Sequence, residues 1–263
     1  MTYALSREGL ECVRKVSGEN ALLAFDIDGT LAPIASQPWA ARIPDDIQRM
    51  LSFLNGVRKV AVVTGRSVAD ARRMLAFEPA YLVGSHGAEG VPGHAADAGA
   101  LELVTRGWIA GFAALGDRWP PATGVLLEDK GCSIAIHYRH AVDRDHALRH
   151  IEQHAMQLSP RPRLIRGKCV LNLLPAGAPH KGDALRALLA DSGRERAIYV
   201  GDDVTDEDVF RLRLPGVLSV RVAPVGERTT DLYLAFQEEV GLLLRELTGM
   251  IDHEPAGFLH TRV

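Results

Sequence analysis

The stretch "LLAFDIDGTLAPI", residues 22–34, joins an apolar strand-like run to two carboxylates, Asp26 and Asp28. An ionised carboxylate at the mouth of a buried strand is unfavourable unless a partner compensates it. Working outward, "ALLAFD" at 21–26 is followed by two more apolar runs, "KVAVVTG" at 59–65 and "AYLVGSHG" at 80–87. Helical patterns fill residues 44–54 and 67–75 between them. Short all-apolar strands alternating with helices predict a parallel sheet covered on both faces.

The pattern resumes late, with a helix over 181–189, a strand "AIYVGDD" at 197–203 and a helix from Asp206. A strand "VLSVRV" at 217–222 and a last helix over 238–247 complete it. Between the halves the grammar changes. "GVLLEDKGCSIAIHYR", residues 124–139, reads as two strands joined at Asp129–Lys130–Gly131, a hairpin signal. A helix over 142–158 and "RLIRGKCVLNLLP", two strands about a Gly-Lys turn, follow. The chain is thus expected to be an α/β unit of residues 1–106 and 179–263, interrupted by an α/β insert over 107–178. The last dozen residues are expected to be loosely held.

Composition narrows the function. With 263 residues, 47% hydrophobic and 24% charged, the chain suits one large domain or two smaller ones. A net charge of −3 argues against a nucleic-acid binder with a basic surface. Cys12, Cys132 and Cys169 have no CxxC spacing, which suits a reducing compartment and no zinc site. "MTYALSREGLECVRK" meets charge too early for a signal peptide, and no apolar run approaches the roughly 20 residues of a membrane helix. A cytoplasmic, soluble, monomeric protein with no nucleic-acid or membrane partner is expected.

In open α/β sheets ligands bind at the carboxyl ends of the strands. Asp26 and Asp28, Thr64 and Gly65, Gly84 to His86, and Gly201 to Asp203 all fall there, with Lys181 opening the helix after the insert. Such a rim, rich in oxygen and lacking cysteine, selects a hard cation, and Mg²⁺ fits. "DIDGT" begins like a calcium loop, but the position that needs glutamate is Gln37. Thr205 and Asp208 have capping-box spacing, which accounts for Asp208 but not for Asp202 or Asp203. A lysine at a helix N-terminus, disfavoured by roughly 0.3–1 kcal/mol, wants an anion before it. A hydroxyl and a free N–H at Thr64-Gly65 suit a phosphate oxygen.

These groups fit phosphoryl transfer. A carboxylate approaching a phosphate monoester meets a repulsion of roughly 4 kcal/mol at about 4 Å in an effective dielectric near 20. A cation and a lysine remove it. Asp26 then serves as nucleophile, forming an aspartyl-phosphate, and Asp28 as acid and base. His146, His150 and His154 fall at i, i+4, i+8, but no ligand from another element joins them, so they read as a polar helix face.

With these motifs in this order, the chain resembles the haloacid-dehalogenase superfamily of phosphatases. "FDIDGTLAPI", "TGRS", "GSHGAE", "LEDKGCSIAIHYR", "GKCV" and "GDDVTDEDVF" resemble, more narrowly, its trehalose-6-phosphate phosphatase family, over roughly residues 22–210. The resemblance implies a Rossmann-like core with a C2B-type α/β cap and Mg²⁺-dependent hydrolysis of trehalose 6-phosphate in trehalose biosynthesis. It implies that Asp26, Asp28 (through its carbonyl) and Asp202 hold Mg²⁺, backed by Asp203 and Asp206, and that Thr64 and Lys181 hold phosphate. Arg66 and His86 would lie by the cap–core seam, Glu128, Lys130, Arg139 and Lys168 would bind the distal glucose, and Gly65 and Asn172 would join them in binding substrate. Asn172 stands where the family usually has glutamate, and Leu174 where a basic residue is common. Glu128 and Lys130 share a face by the strand period, as do Lys168 and Asn172 if one strand holds both. Another glycosyl phosphate as substrate, or a silent sugar-phosphate-binding module, are the alternative readings; the intact acidic and phosphate-binding groups weigh against the latter.

Overall fold

A computed structural model describes residues 1–35, 37–93, 95–116, 119, 124–223 and 230–252. In chain order, β1 (Thr2–Tyr3), α1 (Arg7–Val16), β2 (Ala21–Phe25), α2 (Asp45–Val57), β3 (Lys59–Val63), α3 (Val68–Met74) and β4 (Tyr81–Val83) come first. A long helix, α4 (Ala95–Ala113), leads to β5 (Leu126–Asp129), β6 (Ile134–His137), α5 (Arg144–Ala155), β7 (Pro162–Gly167) and β8 (Val170–Pro175). The chain closes with α6 (Lys181–Ser192), β9 (Arg196–Gly201), α7 (Glu207–Phe210), β10 (Val217–Val222), β11 (Leu232–Leu234) and α8 (Glu239–Asp252).

Seven strands form one sheet in the order β1-β11-β10-β9-β2-β3-β4, with every neighbouring pair parallel. The two-residue period of β2 divides the core. Leu23 and Phe25 pack with Val13 of α1, Leu51 of α2 and Leu243 of α8 on one face. Leu22 and Ala24 pack with Leu185 and Leu188 of α6 and Phe210 of α7 on the other. All five residues of β2 are buried, which is why the strand reads as continuous apolar sequence. The chain builds outward from β2 to β3 and β4, then returns to β9 on its other side. The rim between them is a topological switch point, where such sheets bind ligands.

The second unit is an antiparallel sheet in the order β5-β6-β8-β7. Ile134, Ile136, Leu171 and Leu173 point to one face and pack against Trp108 and Phe112 of α4 and Ile151 of α5. Residues of opposite parity, including Ala135 and Asn172, point to the other face. Trp108 closes the helical side by donating Nε1–H to the Pro160 carbonyl at 2.8 Å.

Several elements differ from the sequence reading. α4 was not predicted and runs through the expected division between residues 106 and 107. β1, α1 and β11 add to the sheet and its cover, α8 extends beyond residue 247, and α7 is a single turn. The Gly-Lys turn is where the sequence places it, with Lys168 between β7 and β8 and Cys169 at φ 63°, so no single strand holds Lys168 and Asn172 and the strand period does not align them. Residues 253–263, expected to be loosely held, lie outside the described residues. Among the described residues no helix is long and apolar enough to cross a membrane.

Candidate active site

Asp26 follows the end of β2, and its N–H continues the sheet by donating to the Val200 carbonyl at 3.0 Å. Its Oδ1 accepts the Ile27 N–H at 2.7 Å, and its Oδ2 lies 2.9 Å from Lys181 Nζ. Lys181 is buried at the first position of α6, whose N-terminus is closed by a capping box between His180 and Asp183. The same Nζ donates to Asp206 Oδ1 at 2.8 Å, which also accepts the Tyr199 hydroxyl at 2.6 Å. Asp206 Oδ2 accepts the Asp203 N–H at 2.9 Å. The capping box after β9 is therefore Asp203 with Asp206, not Thr205 with Asp208. Asp206 is fixed from three directions.

Asp26, Asp202 and Asp206 each bring one oxygen to within 4.8 Å of the others. Asp202 Oδ1 is buried without a hydrogen-bond partner. Gly29, at φ +81°, makes room for this carboxylate; a Cβ there would stand 2.1 Å from Asp202 Oδ2. Burial first, and the neighbouring carboxylates next, push Asp202 up to about 8. Burial likewise pushes Asp26 up to about 7, against the pull of Lys181. Burial opposes the Lys181 charge, but Asp206 and Asp26 outweigh it and hold the ammonium on. With one buried cation facing three carboxylates, full ionisation would leave excess negative charge, the condition a divalent cation relieves.

Asp28 is held differently. Both of its oxygens accept from Arg66, at 2.6 Å from Nε and 2.7 Å from Nη2, and Arg66 Nη1 donates to Asp70 at 2.7 Å. Burial disfavours this guanidinium, but its hydrogen bonds to Asp28 and Asp70 raise its pKa on balance. The Asp28 side chain thus stands outside the three-carboxylate cluster. Thr64 is fully buried and its Oγ1 accepts the Arg66 N–H at 3.2 Å, whereas Gly65 reaches the cavity wall. Gly65 packs against the His86 ring, 2.3 Å from where a Cβ would sit. Burial, then the charges of Lys130 and Lys181, push His86 well below its ordinary value, so it is a neutral imidazole facing Asn172.

The sheet of the second unit supplies the opposite wall. Lys130 Nζ donates to the Gly65 carbonyl at 3.1 Å, and burial lowers its pKa. Glu128 pairs with His137 Nε2 at 2.7 Å; this bond and the Lys130 charge outweigh burial and lower the carboxyl's pKa. Arg139 donates to the Lys168 carbonyl at 3.1 Å, and Lys168 Nζ lies 3.9 Å from Asp202 Oδ2. A cavity of about 490 Å³ brings Glu128, Lys130, Arg139, Lys168 and Asn172 face to face with Asp26, Asp28, Gly65, Arg66, His86, Lys181, Asp202 and Asp203. Thr64 and Asp206 lie behind that surface. Leu174 is buried. His150 and His154 place their Nε2 atoms 2.9 Å apart on α5.

A sequence profile of the trehalose-phosphatase family matches residues 24–228. The chain belongs to that family. It is 38% identical over 221 residues to a probable trehalose-phosphate phosphatase of Sinorhizobium fredii, covering 78% of this chain and 79% of the relative. It is 32% identical over 207 residues to the trehalose-6-phosphate phosphatase of Escherichia coli, covering 75% and 76%. In fold it is similar to the C-terminal domain of the Candida albicans trehalose-6-phosphate phosphatase, with a TM-score of 0.75 and 24% identity over 95% of this chain and 99% of that one. As a trehalose-phosphatase it is a phosphoric monoester hydrolase of the haloacid-dehalogenase superfamily, and the second sheet stands where the cap was expected. The sequence reading passed over Asp70, His137 and Tyr199. Asp70 alone had a signal, its i,i+4 spacing from Arg66; the others depend on contacts between elements.

Proposed function

We propose that Asp26 is the nucleophile and Asp28 the acid and base in hydrolysis of trehalose 6-phosphate to trehalose and phosphate, the reaction of this family. One observation carries the assignment: Asp26 is held by Lys181 at the floor of a cavity whose far wall carries the polar groups of the second sheet. An Asp26 oxygen attacks phosphorus as the bond to the sugar oxygen breaks, leaving phosphate on Asp26 and a proton from Asp28 on the sugar. Water then attacks phosphorus, Asp28 takes its proton, and Asp26 is released. Lys181 neutralises the phosphoryl oxygens, and the Thr64 hydroxyl, behind the cavity surface, would donate a hydrogen bond to one of them. Asp28 must leave Arg66 to reach the leaving oxygen, and Asp70 keeps the guanidinium paired when it does.

Asp26, Asp202 and the Asp28 carbonyl would hold Mg²⁺, with Asp203 and Asp206 behind them; the crowded carboxylates and the unpartnered Asp202 oxygen fit such an ion. When bound it supplies charge neutralisation between Asp26 and the phosphate. Glu128, Lys130, Arg139, Lys168 and Asn172 offer donors and acceptors to the distal glucose, with Gly65, Arg66 and His86 at the seam. Residues 1–106 and 179–263 act as the phosphatase core and 107–178 as the specificity unit. We take the enzyme to be a cytoplasmic monomer, with no nucleic-acid or membrane partner.

Phosphate release from a panel of sugar phosphates tests this reading. Trehalose 6-phosphate is expected to be the preferred substrate, with activity abolished by EDTA and restored by Mg²⁺. A different preferred glycosyl phosphate would displace the substrate, and EDTA-resistant turnover would displace the metal.

A further inference from the structure

Three of the large exposed apolar side chains face the same cavity. Ile34 is 46% exposed, Trp39 64% and Leu126 54%, and all three line the space that ends at Asp26. Trp39 sits on a short 3₁₀ turn (Pro38–Ala40), in the loop after the nucleophile strand. The turn is pinned: Arg42 donates Nη1–H to the carbonyls of Trp39 and Ala41, both at 2.8 Å. Leu126, at the start of β5, lines the same cavity from the second sheet. An indole left open on a pinned loop, at the mouth of a cavity with a polar floor, is a surface awaiting an apolar partner.

A pyranose ring has such a partner to give. Its edges carry hydroxyls, which the cavity meets with Lys130 and Arg139, while its faces carry C–H groups that prefer an aromatic or aliphatic surface. A phosphate seated at Asp26 and Lys181 puts the phosphorylated ring inward and the second ring toward the mouth. We propose that Trp39 is a stacking platform for the non-phosphorylated pyranose of a disaccharide phosphate, with Leu126 against the opposite side. The proposal rests on the disaccharide reading above and adds a specificity residue from the core to the polar groups of the second sheet.

The test compares Trp39→Ala and Trp39→Phe with wild type on trehalose 6-phosphate and on glucose 6-phosphate, which lacks the outer ring. Circular dichroism melts check that folding is kept, as an exposed site leads one to expect. Trp39→Ala should lower kcat/KM for the disaccharide phosphate by about five- to tenfold, the worth of one aromatic contact, mainly through KM. Its kcat/KM for glucose 6-phosphate should stay within about twofold of wild type, and Trp39→Phe should recover most of the loss, since a phenyl face still stacks. Equal losses on both substrates would make the loop a support of the phosphate site and overturn the platform. So would a wild-type enzyme that cleaves trehalose 6-phosphate and a Trp39→Ala variant that matches it. A wild-type enzyme that leaves trehalose 6-phosphate intact would instead remove the disaccharide reading, and the platform with it.

Discussion

At the scale of single residues, the site concentrates more carboxyl groups than its own lysine can neutralise once they ionise. Burial pushes Asp26 up to about 7 against the pull of Lys181, with Asp206 adding to it, and pushes Asp202 up to about 8, with Asp26 and Asp206 adding to it. As pH rises from the ordinary carboxylate range, the unfolded chain releases these protons while the folded chain keeps them. These two groups therefore lower stability progressively up to their folded values. Mg²⁺ binds the ionised form, so it should raise the melting temperature more at about pH 8.5 than at about pH 5.5. An equal or smaller rise at the higher pH would mean that these carboxylates do not hold the ion. The same crowding predicts that Asp26→Asn abolishes turnover without loss of fold, because the amide keeps the shape and leaves Lys181 paired with Asp206. In melts of the metal-free protein its midpoint should match or exceed that of wild type; a midpoint several degrees lower would give Asp26 a structural role.

At the scale of elements, the tips of the strands bring carboxylates together only because glycine lets them approach. Gly29→Ala would force a Cβ to within 2.1 Å of Asp202 Oδ2 at a residue held at φ +81°. Such backbone strain costs about 1–3 kcal/mol, so urea denaturation should register a loss of that order, together with weaker Mg²⁺ binding in calorimetry. A variant as stable as wild type with unchanged affinity would show that the loop relaxes freely. The element scale also shows what the sequence made legible. β2, β3 and β9 are buried runs ending in Asp, Thr-Gly and Gly-Asp-Asp, and the parallel sheet and the rim they form were readable, whereas the order of the strands was not. α4 was not, because "AADAGALELVTRGWIAGFA" is rich in Ala and Gly and spreads its apolar residues without a helical stripe. β1 and β11 have two and three residues, too few for a period to emerge. The Gly-Lys turn was readable in "RGKCV", but nothing there reveals that Cys169 adopts a left-handed conformation, and the alignment of Lys168 with Asn172 stayed open. Tyr199 was passed over, since only the fold brings its hydroxyl to Asp206.

At the scale of the whole molecule, two sheets divide the work and share one cavity. Lys130 Nζ on the Gly65 carbonyl and Lys168 Nζ near Asp202 cross between them, so groups suited to a sugar already touch the phosphate rim. Lys130→Ala or Arg139→Ala should lower kcat/KM for trehalose 6-phosphate by about tenfold or more, as loss of a charged hydrogen bond of roughly 1.5–3 kcal/mol implies. Hydrolysis of a small aryl phosphate should change little. Equal losses on both would assign these residues to closure of the two units instead of sugar recognition.

The central claim is that phosphate passes through Asp26, and an acid-quenched single turnover with trehalose 6-phosphate labelled in its phosphate tests it directly. Protein-bound label should rise and decay as phosphate is released, map to the peptide containing Asp26, and be absent in Asp26→Asn. Phosphate release at the full rate in Asp26→Asn, or label attached to any other residue, would contradict it.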